Sequence, residues 1–175
     1  MCTPTGAELG RLDPEQLSQI RPDGEAKDTS ALPTKEWQLH LALYRQRPDV
    51  AAVVHLHSRH AAAVSCRSDL DPDNTLPPLT SYYAMHIERL PLVPWHPPGD
   101  IGLAEATSVA AKVSRSLLLA NHGPVVGAAT LSAGARAAEE IEETSAIWLT
   151  LAGQPYRALS QEQLERLRRT RKEHS

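Results

Sequence analysis

The spacing of apolar residues changes several times along the chain, and each change predicts an element. Trp37, Leu41 and Tyr44, with Leu39 and Leu43 alongside, recur at helical spacing and predict a one-sided helix over 35–47. Thr34 is placed to cap its start and Pro48 to stop it. Val50 to Val54 is a continuous apolar run that predicts a buried strand leading into His55-Leu56-His57. The Ala-rich stretch 58–65 reads as helix, and 90–93 as a short strand. Leu103, Ala106, Val109, Ala110 and Val113 share a helical stripe over 102–114. Ser116 to Ala120 predicts a second buried strand, ending at Asn121-His122-Gly123-Pro124, with 125–128 continuing the sheet. A long helix follows over 131–151, acidic through Glu139, Glu140, Glu142 and Glu143 and apolar through Ala138, Ile141 and Trp148.

Between these elements the chain is rich in turn formers. Residues 1–30 hold one short amphipathic stretch near Leu12–Ile20, and 69–81 are broken by Asp-Pro and Pro-Pro. Pro97-Pro98-Gly99-Asp100 marks a further turn. No repeat or low-complexity linker divides the 175 residues, so one domain over 1–175 is expected.

Composition narrows the function. A net charge of −3 gives no reason to expect nucleic acid or an anionic membrane as partner. The basic run Arg166–Lys172 reads as the solvated face of a terminal helix. No apolar run approaches the ~20 residues that span a bilayer, and the N-terminus lacks signal-peptide features. Cys2 and Cys66 make no disulfide framework, so a reducing cytoplasm is the expected compartment.

The chemistry lies in the histidines. Residues two apart in a strand project to the same side, so His55 and His57 converge at one strand end. Two imidazoles make an open site, and a third ligand is normal for zinc. His122, at the end of another apolar strand, is the best placed to supply it. Glu36, at the start of the helix leading into the His-bearing strand, can close the site reversibly. His60, three past His57, competes for the third position. His40, His86, His96 and His174 have no partner pattern and read as structural or exposed. Neutral nitrogen ligands suit zinc first, with manganese, iron, cobalt or nickel able to use the same cage.

These residues resemble the class II aldolase/adducin family. The stretch 33–58, from Pro33-Thr34-Lys35-Glu36 to His55-Leu56-His57-Ser58, is similar to the family's core signature, and Asn121-His122-Gly123-Pro124 to its third-ligand motif. Within the family the chain resembles the 3-oxo-tetronate 4-phosphate decarboxylases, in those motifs and in Leu76–Tyr83 and Arg89–Pro94. The resemblance implies a three-layer α/β/α fold with a central, mostly antiparallel sheet, assembled as a homotetramer with sites at subunit interfaces. It implies Glu36 as general base and displaceable fourth ligand beside His55, His57 and His122. It implies that Thr34 and Lys35, with Thr5 and Gly6 of a second turn, contact the substrate phosphate. Tyr82 and Tyr83 fall where the family places a catalytic tyrosine, which can act in a neighbouring subunit. Members carry a further helix and strand with a Gly-Asn phosphate motif before the Thr3-Pro4-Thr5-Gly6 turn. This chain begins almost at that turn, so an N-terminally shortened fold with a reduced phosphate grip is expected.

The implied reaction is decarboxylation of a 3-oxo-tetronate 4-phosphate, a small sugar acid phosphate, to dihydroxyacetone phosphate and carbon dioxide through a metal-stabilised enediolate. Return of a proton to carbon by Glu36 would be aided by a raised pKa. Two alternatives stand beside it: an aldolase or epimerase of a short sugar phosphate, and a non-catalytic, adducin-like assembly domain.

Overall fold

The computed structural model describes residues 1–27 and 31–173, the last three by backbone alone. His174 lies outside the described residues. Four strands, β1 (Ala52–His55), β2 (Leu92–Val93), β3 (Ser116–Leu119) and β4 (Gly123–Ala128), form one sheet in the order β1-β4-β3-β2. β4 runs antiparallel to both β1 and β3, and β2 lies parallel to β3. The expected mostly antiparallel sheet is present, with one parallel edge.

Helices cover both faces. α1 (Trp37–Gln46) and α4 (Ile101–Ala111) pack together on one side, and α2 (Arg59–Ser65) and α5 (Leu131–Thr150) on the other. α3 (Ser81–His86) lies against α5, and α6 (Gln161–Glu173) packs on α3 and carries the basic run. Strand alternation sorts the apolar side chains between two cores. Val93, Leu117, Leu119 and Val125 meet Leu39, Leu43 and Leu103 under α1 and α4. Leu118 and Val126 meet Ala61, Val64, Ala138 and Ile141 under α2 and α5. The unbroken Leu117-Leu118-Leu119 run follows from this, because β3 is buried on both faces. Each fully buried leucine contributes about 1.5–3 kcal/mol relative to exposure. The result is the three-layer α/β/α arrangement.

Several local expectations shift. α1 begins at Trp37 with Glu36 at the N-cap, two residues later than expected. The Thr34 N–H donates to the Thr3 carbonyl (3.0 Å), and its hydroxyl accepts the Glu36 N–H at 3.4 Å, so Thr34 caps the turn that leads into α1 while Glu36 takes the N-cap position itself. The buried face of α1 is Leu39, Ala42 and Leu43, while Tyr44 is exposed. In α4 the buried residues are Leu103, Ala104, Thr107 and Ala111, and Val109 and Val113 face solvent. A helix of mixed apolar content has two candidate stripes, and packing of α1 against α4 selects one. α3 follows the irregular 69–80 stretch without any periodic signal, as six residues are too short to carry one. Thr80 starts it by accepting the Tyr83 N–H at 3.1 Å.

The N-terminal segment takes two 3₁₀ turns, Leu9–Arg11 and Pro14–Gln16, and short pairings between Cys2 and Ser18, Pro4 and Pro33, and Ile20 and Ala26. Among the described residues no helix is long and apolar enough to cross a membrane.

Candidate metal centre

Antiparallel pairing brings the histidines together. His55 sits opposite Val125, so the C-terminal end of β1 lies beside the N-terminal start of β4. His57 follows two residues on, and His122 immediately precedes β4. Val53 packs toward α1 and α4, and alternation sends the His55 ring to that same side. There it meets Glu36, whose side chain makes no capping bond and is free to face the strand.

The chain reverses at Ala120-Asn121-His122, upstream of the expected Gly123-Pro124 turn. Asn121 absorbs the reversal with φ +54, a left-handed conformation that asparagine tolerates. Gly123 serves a different need. A Cβ there would lie 2.3 Å from the Leu56 carbonyl oxygen, so only glycine lets β1 and β4 approach beside the histidines.

The four donor groups, from Glu36, His55, His57 and His122, lie within 4.8 Å of one another. Glu36 Oε2 is 3.1 Å from His55 Nε2, and Glu36 Oε1 is 3.4 Å from His122 Nε2. His57 Nε2 and His122 Nε2 are 2.8 Å apart. The cluster grades from the buried His55, Glu36 and His122 side chains to an exposed His57 at the rim.

The donor set fits a divalent ion. His55 Nδ1 is 2.9 Å from the Pro124 carbonyl oxygen, which can only accept, so Nδ1 carries the proton and a neutral ring presents a bare Nε2 lone pair. That nitrogen and Glu36 Oε1 are both buried without a hydrogen-bond partner. The 3.1 Å approach of His55 Nε2 to Glu36 is therefore an ion pair only if the ring is doubly protonated. A cation between them satisfies both atoms at once.

The electrostatics agree. Burial lowers the His57 and His122 pKa values and His55 lowers them further, while Glu36 opposes both; these two rings stay neutral and ligand-ready at pH 7. Burial pushes the Glu36 carboxyl up, but the His55 ring against it, with His122 and His57 nearby, favours the carboxylate strongly enough to leave its pKa below the usual value. The raised pKa that would aid proton return by Glu36 is therefore not supplied by the histidine cage. Behind the cluster, burial drives His40 down to about 4, so it is a neutral neighbour of His55.

The remaining residues sort clearly. Thr5 and Gly6 lie beside Thr34 and Lys35, because the Thr5 N–H donates to the Leu32 carbonyl (2.9 Å) and Pro4 pairs with Pro33. Gly99, at φ +80, packs its turn against the Lys35 main chain. Tyr83 is buried in the α2–α5 core with an unpartnered hydroxyl, whereas Tyr82 projects into solvent at 68 % exposure. His60 does not join the cluster: its Nδ1 lies 2.8 Å from the Glu142 carboxylate. Sequence reasoning missed Glu142, Ser65 and the Pro124 carbonyl, which act through main-chain bonds that side-chain patterns do not announce. Hollows of about 260 Å³ beside Arg47 and Arg115 and about 300 Å³ between α1 and α4 contain none of the four residues. The exposed His57 is the edge at which the four-residue centre meets solvent.

Fold and site together define an α/β protein with a strand-end histidine centre suited to a divalent metal. The chain belongs to the Class II Aldolase and Adducin N-terminal domain family, which matches residues 1–149. It is 43 % identical over 168 residues to the 3-oxo-tetronate 4-phosphate decarboxylase of Escherichia coli K12, covering 96 % of this chain and 79 % of that protein. The L-fuculose phosphate aldolase of Haemophilus influenzae is 31 % identical over 94 % of this chain and 75 % of its own length. The crystal structure of YgbL from Escherichia coli superposes with a TM-score of 0.90 at 42 % identity, covering 95 % of this chain and 80 % of that one.

Proposed function

We propose that the protein decarboxylates a 3-oxo-tetronate 4-phosphate to dihydroxyacetone phosphate and carbon dioxide, with Glu36, His55, His57 and His122 holding zinc. The observation that carries this reading is the bare, buried Glu36 Oε1 and His55 Nε2 pair facing two further imidazole nitrogens. The decarboxylases named above supply the substrate class.

Loss of carbon dioxide breaks the C1–C2 bond, and its electron pair flows into the C3 ketone. A divalent ion in the cage supplies a Lewis acid for the charge developing on that oxygen. Thr34 and Lys35, with Thr5 and Gly6 beside them, grip the phosphate; the pairing of their two main-chain segments supports this assignment. Glu36, beside the cage, would take a proton from solvent and deliver it to C2 of the enediolate. Tyr82, exposed on its own subunit, serves a neighbouring subunit's site in a homotetramer, while Tyr83 packs the core. Residues 1–175 act as one domain: α6, beyond the stretch matching the family, packs on α3. The protein works in the cytoplasm.

The test is a product screen of metal-loaded protein, with zinc and with manganese, on 3-oxo-tetronate 4-phosphates and on aldose and ketose phosphates. Equal amounts of carbon dioxide and dihydroxyacetone phosphate are expected from the former. Aldehyde release from ketose phosphates without decarboxylation would make the protein an aldolase. No turnover of any of them would leave the assembly role.

A further inference from the structure

Helix α2 touches the histidine centre at both of its ends. At the start, only Ser58 separates His57 from the first turn. At the far end, Ser65 holds the β3–β4 turn: the His122 N–H donates to Ser65 Oγ at 3.0 Å, and the Asn121 N–H donates to the Ser65 carbonyl at 3.0 Å. Ser65 is 3 % exposed, and its hydroxyl proton goes to the Ala62 carbonyl at 2.7 Å. The Ser65 hydroxyl and carbonyl are thus committed to α2 and to the His122 turn.

The start of α2 is fixed from outside. Ser58 occupies the N-cap but makes no side-chain capping bond. Glu142, reaching across from α5, accepts the His60 N–H at 3.0 and 3.1 Å and the Ala61 N–H at 2.8 Å. It also binds His60 Nδ1 at 2.8 Å. A carboxylate accepting first-turn amides does the work of an N-cap and suits the positive end of the helix. α2 is therefore clamped to α5 at one end and tied to the His122 turn at the other.

We propose that α2 is a rigid spacer setting the separation of His57 and His122, with Glu142 and Ser65 as positioning residues for the metal centre. The proposal rests on reading the four side chains as metal ligands. Beyond β1 the main chain makes one further bond to β4, from the Leu56 N–H to the Pro124 carbonyl at 3.2 Å. The place of His57 is then decided by where α2 begins. The His122 N–H also reaches the Leu119 carbonyl at 3.2 Å, which keeps the turn closed by itself. What Ser65 adds is the link between that turn and the helix carrying the other ligand. The two imidazole nitrogens, 2.8 Å apart, come from chain segments that α2 connects. Groups that orient metal ligands typically change affinity by about 10–100-fold when removed.

The test uses the full-length, metal-free protein, titrated with zinc against a chelator and, separately, with cobalt(II) read by its visible absorption. Ser65→Ala keeps the Leu119 bond, and Glu142→Gln keeps a carbonyl oxygen for the α2 amides, so both variants fold. Each is expected to bind zinc about tenfold more weakly and to shift the cobalt bands, which report ligand geometry. Glu139→Gln, on the exposed face of α5, should match wild type in both. Wild-type zinc affinity and cobalt spectrum in both variants would overturn the spacer, as would a lower Tm with both readouts unmoved. If wild type itself bound no zinc or cobalt, the ligand reading would fall first and the spacer with it.

Discussion

Among the described residues, Glu36 and Glu142 both meet histidines, and they end in opposite states. Glu142 has both oxygens occupied: it accepts two main-chain N–H groups and lies against the His60 ring. Glu36 is more deeply buried, yet its Oε1 has no hydrogen-bond partner and three imidazoles surround it. A carboxylate whose lone pairs are filled by amides is spent on structure. One held in place with a lone pair unspent is available to a ligand. Pairing of the residue types does not separate the two; the count of satisfied oxygens does.

The largest effect that would break this comparison is expected at Glu36. Glu36→Gln preserves shape but removes the anionic ligand and proton carrier, so turnover should fall by about 10²–10⁴-fold, while Tm of the metal-free protein holds or rises. Wild-type turnover in this variant would place Glu36 with Glu142 as a structural residue.

Next comes pH, acting behind Glu36. His40 has a folded-state pKa of about 4, below its usual 6.5. Above 6.5 the ring is neutral in both states and contributes no pH dependence. Between 6.5 and 4 the unfolded chain binds the extra proton, so stability falls as pH falls, by about 3 kcal/mol in total. Urea unfolding of the metal-free protein at pH 7 and pH 4 measures this. His40→Gln should lose that share of the pH dependence, and an unchanged slope would show the ring protonating freely in the fold.

A smaller loss is expected at the other carboxylate. Glu142→Ala strands the amides of His60 and Ala61 and should cost about 1–3 kcal/mol in denaturant unfolding. The smallest effect concerns Tyr83, whose hydroxyl, like Glu36 Oε1, is buried without a partner. Its phenol lies in an apolar core and its pKa is driven up by burial. Tyr83→Phe should change stability by no more than about 0.5 kcal/mol and leave turnover unchanged, whereas Tyr82→Phe should lower turnover without changing Tm.

The His55-Leu56-His57 spacing after an apolar run, and the apolar run before His122, made the centre's histidines visible in the sequence, although β1 ends at His55 and His57 lies beyond the strand, outside the reach of its two-residue period. The order of the other helices and strands was legible from their own 3.6- and two-residue periods, with α3 the exception. The rotation of α1 and α4 was not: both carry apolar residues around much of their circumference, and only their mutual packing buries Leu39 and Leu103 while exposing Tyr44 and Val109. Tyr82 and Tyr83 are adjacent and chemically alike, so their separation into surface and core depended on the short helix α3, which has no period to read. Ser65 and Glu142 were invisible because their partners are main-chain amides distant in sequence.

The most direct measurement is X-ray absorption at the zinc edge of protein loaded with one equivalent. The account predicts three imidazole nitrogens at about 2.0–2.1 Å with an oxygen neighbour, and loss of one imidazole in His57→Ala. Sulfur scattering at about 2.3 Å, or a spectrum unaltered by His57→Ala, would contradict it.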